Sequence, residues 1–140
     1  MFNVQFSMFN AQRKKYDLED RLVEYSCRMI DVVDALPNTR AGNYIAGQLI
    51  KSCMSPTFNY GEVQAAESRN DFVHKLGVVL KELKECRSAL KIIRRKELIK
   101  PVLKLDDIYK ETEELSHNGE EHRNCQQKQA VKKQGALIER

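Results

Sequence analysis

Apolar residues recur at alternating steps of four and three through Phe72, Leu76, Val79, Leu83, Cys86, Leu90 and Ile93. That spacing places all of them on one stripe of an α-helix, a seam that inserts against a neighbouring helix. A second seam with the same steps runs through Leu18, Leu22, Tyr25, Met29, Val32 and Leu36. A helix in water gains most of its stability from packing its apolar face, so two seamed helices require partners. The pattern predicts an all-α fold, an antiparallel up-down four-helix bundle.

Local signals set the expected boundaries. Helix one spans about Asp17 to Leu36, with Asp17, Glu19 and Asp20 in its first turn, where negative charge complements the helix dipole. Pro37 ends it, because the residue before a proline avoids helical angles. Helix two is expected from Asn38 or Thr39, both competent N-caps, to about Ala66. Its early face interleaves Ala41, Gly42, Ala46 and Gly47 with Ile45, Leu49 and Ile50, small residues that allow another backbone to come close. Pro56 removes a backbone hydrogen bond and clashes with the carbonyl four residues back, at about 3 kcal/mol. Either the helix ends near Met54 or it bends, and Cys53, Phe58, Tyr60, Val63 and Ala66 do not fix the register. The expectation taken forward is one helix kinked at Pro56.

Helix three has the clearest start. Ser68 followed by Asp71 resembles a capping box with the shorter acid, directly before the Phe72 seam, and the helix is expected to reach Arg95. Gly77 lies inside it, off the seam. Pro101 suits the first turn of helix four, whose weaker seam is Val102, Leu105, Ile108, Thr112 and Leu115. Asn118-Gly119 reads as a stop, and from there to Lys133 only Cys125, Ala130 and Val131 are available for burial. The expected organisation is an N-terminal flexible arm over 1–15, a bundle domain over 16–117, and a polar tail over 118–140 that is frayed helix or disordered. In the arm, Phe2, Val4, Phe6 and Met8 alternate at period two, which is strand-like.

Composition narrows the class. With 140 residues, 31% charged and 41% hydrophobic, there is room for one domain with one core. No apolar run approaches the roughly 18 residues that span a bilayer, and the apolar start lacks a basic n-region and a small-residue cleavage site. Cys27, Cys53, Cys86 and Cys125 form no C-x-x-C pair, and Cys86 lies on a seam, so a reduced, cytoplasmic setting is expected. The net charge is +4. Between Lys75 and Lys100, however, nine lysines and arginines meet three glutamates, a local +6, so the excess sits on helix three and the turn after it.

Five stretches carry a resemblance: YDLEDRLVEY (Tyr16 to Tyr25), LPNTRAGNYIAGQLIKS (Leu36 to Ser52), SPTFNYGE (Ser55 to Glu62), AESRNDFVHKL (Ala66 to Leu76) and KELKECRSALKII (Lys81 to Ile93). Over Tyr16 to Ile99 the chain resembles the bacterial four-helix bundle protein family, first noticed as the 23S rRNA intervening-sequence protein. The resemblance implies an up-down four-helix bundle, a proline inside helix two and a homopentameric ring. It also implies kinship of fold with an accessory protein of diversity-generating retroelements that binds nucleic acid through a basic surface. Two departures stand out: Phe58 occupies a position where many relatives have alanine, and the text turns polar after His117 where the family's fourth helix continues with apolar residues.

The candidate nucleic-acid-binding residues are Lys84, Arg87, Lys91, Arg94, Arg95 and Lys96. Arginine can give two parallel bonds to a phosphate; cations at a helix C-terminus equally complement its dipole. Asn59, Tyr60, Glu62, Arg69 and Asp71 form a polar cluster, read as structural: satisfying groups freed by Pro56 and capping helix three. His117, His122 and Cys125 lack the spacing and the fourth ligand of a closed metal site. His74 has no nucleophile or paired acid at helical spacing, and Gly42 and Gly47 sit in no phosphate-binding motif. No catalytic residue, metal, cofactor, membrane contact or small-molecule substrate is therefore expected. Two functions remain: a non-enzymatic homo-oligomer that binds RNA or DNA through a basic face of helix three, or a protein-binding adaptor with no nucleic-acid role.

Overall fold

A computed structural model describes residues 17–139 and contains four α-helices and no strand among them. The expected arm, residues 1–15, lies outside the described residues. The helices are α1 (Leu18–Ala35), α2 (Arg40–Gln64), α3 (Arg69–Arg95) and α4 (Asp106–Ile138), with a 3₁₀ turn at Val102–Leu105 before the last. Helices consecutive in sequence pack side by side, and α1 and α4 meet more sparsely than these neighbours do. The first two connections are too short for anything but a reversal, so these neighbours run antiparallel.

Each start is capped by a side chain the sequence exposes. Asp17 accepts from the Asp20 N–H, Thr39 from Gly42 and Ser68 from Asp71, each filling one of the donors a helix N-terminus leaves free. Asp71 completes its half of the box one residue further out than expected, accepting from the Glu67 N–H at 3.2 Å. At the end of α3, Leu98 N–H bonds the Ile93 carbonyl and Glu97 N–H the Arg94 carbonyl, a Schellman closure with Glu97 at φ 50°. Glycine normally fills that position, so no glycine in the sequence marks this stop.

The core follows the middle of the predicted seams; Leu18 at the start of the first is exposed, and Leu80, off the seam of α3, is buried. Leu22, Tyr25 and Met29 from α1 meet Leu76, Val79, Leu83, Cys86, Leu90 and Ile93 from α3, with Leu49, Cys53 and Val63 from α2 and Ile108 and Leu115 from α4. Polar groups inside it are satisfied. Thr112 donates to the Ile108 carbonyl at 2.7 Å, which leaves the Tyr25 hydroxyl to donate to Thr112 Oγ1 at 2.8 Å. α2 passes through Pro56 as one helix, with Pro56 buried. Pro56 has no N–H for the carbonyl four residues back. One turn away, Ser26 Oγ of α1 donates to the Cys53 carbonyl at 2.9 Å and Thr57 Oγ1 to the Leu22 carbonyl at 3.1 Å, locking α1 to α2 around the disturbed ladder.

Two expectations need correction. Pro101 precedes the 3₁₀ turn, and α4 begins only at Asp106. More consequentially, Asn118-Gly119 does not stop α4, which continues to Ile138. Gly119 is there for contact. A Cβ at that position would lie 2.6 Å from Leu80 Cδ2, and Leu80 is buried. The missing side chain lets α4 approach α3 closely, an advantage that outweighs a helix-propensity loss of about 1 kcal/mol. Gly42 works likewise, but against the chain's own turn: its Cβ would lie 2.0 Å from the Pro37 carbonyl oxygen.

Candidate nucleic-acid interface

Positions 84, 87, 91, 94 and 95 of α3 fall within one broad face of the helix, so the basic residues do form a stripe; Lys96, its C-cap, points off to the side. The structure divides them into two groups. On the edge that meets α4, Lys84 Nζ lies 2.5 Å from Glu120 Oε1 and Arg94 Nη2 lies 2.7 Å from Asp106 Oδ1. The Arg94 guanidinium also covers the Tyr109 ring at 4.8 Å from its centroid. Arg87 belongs to this edge, close enough to Glu120 and Tyr109 to act on both. Hydrogen bonding from Lys84 holds the Glu120 carboxyl below the usual carboxylate range. Partial desolvation, then Glu113, pushes the Tyr109 phenol up, against the opposing fields of Arg87 and Arg94.

The second group is unpaired. Lys91, Arg95 and Lys96 are exposed and have no ion-pair partner among the described residues. Three of the six predicted cations thus remain available, while Lys84 and Arg94 knit α3 to α4 and Arg87 adds its field to that edge. Sequence reasoning missed the neutralising partners Asp106 and Glu120, since they depend on the register between two helices, which no local spacing encodes.

The polar cluster is brought together only in part. Asn59 Nδ2 donates to Ser55 Oγ at 2.8 Å, one turn back on its own helix. Glu62 and Asp71 share Lys75, at 3.6 and 3.1 Å. Lys75 holds the Asp71 carboxyl below its ordinary range, and Asp71 in turn raises the ammonium of Lys75. Tyr60 packs against the core rather than into the cluster, and Arg69 makes no hydrogen bond or ion pair among the described residues. Lys75 was the missed residue here; its place four after Asp71 was the available signal.

The other candidates go separate ways. His117 meets Glu121 at 3.2 Å, His122 packs on the Phe72 ring at 5.1 Å between centroids, and Cys125 lies 3.8 Å from Gln129 Nε2. Among the described residues no group of three or more His, Cys, Asp or Glu is placed to hold a metal ion, and no helix is long and apolar enough to cross a membrane. The buried thiols are protonated: desolvation pushes Cys53 up to about 11 and Cys86 up to about 12.

No family model and no curated protein matches the chain. Among solved structures it is similar to the crystal structure of a protein of unknown function from the S23 ribosomal protein family of Bacteroides thetaiotaomicron. The two share 26% identity with a TM-score of 0.66, over 74% of this chain and 94% of that one.

Proposed function

We propose that the chain is a non-enzymatic, cytoplasmic, homo-oligomeric bundle of the S23 ribosomal or rRNA intervening-sequence kind that binds RNA or DNA phosphates through Lys91, Arg95 and Lys96. The carrying observation is the division of charge on α3: Lys84 and Arg94 are paired with α4 carboxylates, while these three are exposed with no ion-pair partner among the described residues. Such contacts fix position on a backbone rather than read a sequence. Assembly into a ring, in the form of the pentamer the sequence resemblance implies, would repeat the patch and raise affinity for a long polyanion without any new contact.

The test is a gel-shift titration with generic RNA and DNA at two salt concentrations, alongside light scattering for the assembly. Affinity is expected to fall steeply with salt. The triple change Lys91→Gln, Arg95→Gln, Lys96→Gln is expected to weaken binding across all sequences and to flatten the salt slope by roughly one per lost phosphate contact. A salt-independent shift, or none at low salt, removes the reading. The adaptor alternative has its own observation, an exposed Phe58 (74%) beside the partly exposed Val78. It becomes the better account if nucleic acid fails to bind.

A further inference from the structure

A groove of about 610 Å³ runs between the first half of α2 and the stretch of α3 from Gly77 to Ile92, with Arg123 of α4 at one side. Ile45, Leu49, Leu80, Ala89 and Ile92 make its apolar surface, and Tyr44, 70% exposed, stands at its rim. Its size is within the range of small-molecule sites. Its charge is unbalanced. Glu85 is the carboxylate on the wall, and Ser52 Oγ already donates to it at 2.8 Å. Of the three cations lining the groove, Lys84 is held by Glu120. Lys81 and Arg123 have no ion-pair partner among the described residues.

Arg123 belongs to α4 yet lines this groove, and it gets there by crossing α3 at Gly77. A Cβ on Gly77 would lie 3.6 Å from Arg123 Nη1, so the bare backbone gives the guanidinium a path across the helix. The Arg123 Nε is buried and has no hydrogen-bond acceptor. A buried donor without a partner is uncommon and unfavourable; the Glu120 carboxylate acts on this guanidinium only at a distance and is held by Lys84, so the terminal N–H groups of Arg123, beside Lys81, favour a negatively charged acceptor.

We propose that the groove binds a small amphipathic carboxylate, its anionic head on Arg123 and Lys81 and its apolar body along Ile45, Ala89 and Ile92. The planar guanidinium fork matches a carboxylate with two parallel bonds. Apolar walls favour a head with a single charge over phosphate, whose second charge adds to the desolvation cost. This site is separate from the outward face of Lys91, Arg95 and Lys96 and stands whether or not nucleic acid binds there.

The test uses the full chain with anilinonaphthalene sulfonate, an aromatic anion, as fluorescent reporter and octanoate, octylamine and inorganic phosphate as competitors. Saturable binding is expected, displaced by octanoate but by neither octylamine nor phosphate alone. Arg123→Gln is expected to weaken it about tenfold, as for loss of a charged hydrogen bond, with unchanged helix content and melting. Lys81→Gln, fully on the surface, is expected to weaken it less and serves if the first variant does not fold. Ile92→Ser should weaken it with no change in oligomeric mass. Absent saturable binding, equal affinity in Arg123→Gln and Lys81→Gln, or equal displacement by octylamine or by phosphate overturns the proposal. So does a shift in oligomeric mass in Ile92→Ser with reporter binding intact, which would make the groove a contact between copies.

Discussion

Two stretches of α4 share one helix and almost nothing else. From Asp106 to Ser116 it buries Ile108, Thr112, Leu115 and Ser116 against the bundle; from His117 to Ile138 no side chain is fully buried. Within the second stretch Val131, Leu137 and Ile138 are exposed outright. What holds that stretch is one local ion pair, His117 with Glu121 when the histidine is protonated, and a few surface contacts to α3: Glu120 to Lys84, His122 on Phe72 and Gly119 against Leu80. Hydrophobic burial fixes where the first stretch must lie, while the second combines backbone hydrogen bonding with α3 contacts that end at Arg123. The lesson is that a weakened apolar pattern marks the edge of a core, not the end of a helix.

The largest break in this comparison is expected from Leu115→Ala. It should cost about 2–5 kcal/mol through lost burial and the cavity left behind, read as a lower urea midpoint. Val131→Ala, in the exposed stretch, should stay within about 0.5 kcal/mol. Equal effects would mean that the outer stretch packs in solution.

Alkaline pH separates the regions next. Desolvation pushes the Tyr25 phenol up, with Cys53 going to about 11 and Cys86 to about 12. For these acids the folded chain keeps its protons longer than the unfolded one, so their contribution is complete below pH 9. It is lost as pH rises from 9 to 12, by on the order of 2 kcal/mol for a thiol shifted this far. The urea midpoint should therefore fall across that window. A thiol reagent at neutral pH should modify the exposed Cys27 and Cys125 quickly and reach Cys53 and Cys86 only on unfolding.

The smallest effects should differ in kind. Gly119→Ala drives a methyl to within 2.6 Å of Leu80 Cδ2 and is expected to destabilise the fold by on the order of 1 kcal/mol, read as a lower melting temperature. Gly135→Ala meets nothing within 4 Å. It should gain up to about 1 kcal/mol of helix propensity, seen as slower hydrogen exchange near residue 135 with an unchanged global melt. Two stabilising alanines would show that Gly119 is not a contact residue.

The sequence carried the bundle because its evidence is periodic. Every residue of the Phe72-to-Ile93 seam except the half-buried Phe72 is buried, and Thr112 was rightly placed on the last seam despite its hydroxyl. The caps Asp17, Thr39 and Ser68 were likewise readable, since a cap is a local bond. The site was legible only by half. Six cations on one helix could be named, yet which of them Asp106 and Glu120 neutralise could not. Gly119 looked like a stop because glycine serves both chain reversal and close approach, and only the position of Leu80 tells them apart.

What the chain determined by itself is therefore what acts over one or two helical turns: which residues face inward, where α1, α2 and α3 begin, and where positive charge accumulates. The folded arrangement alone decided how far α4 extends, which cations stay free, and that Arg123 crosses Gly77 into a groove built by two other helices. Those outcomes depend on the register of one helix against another. That register is fixed by the summed packing of many side chains distant in sequence, so no single motif could announce it.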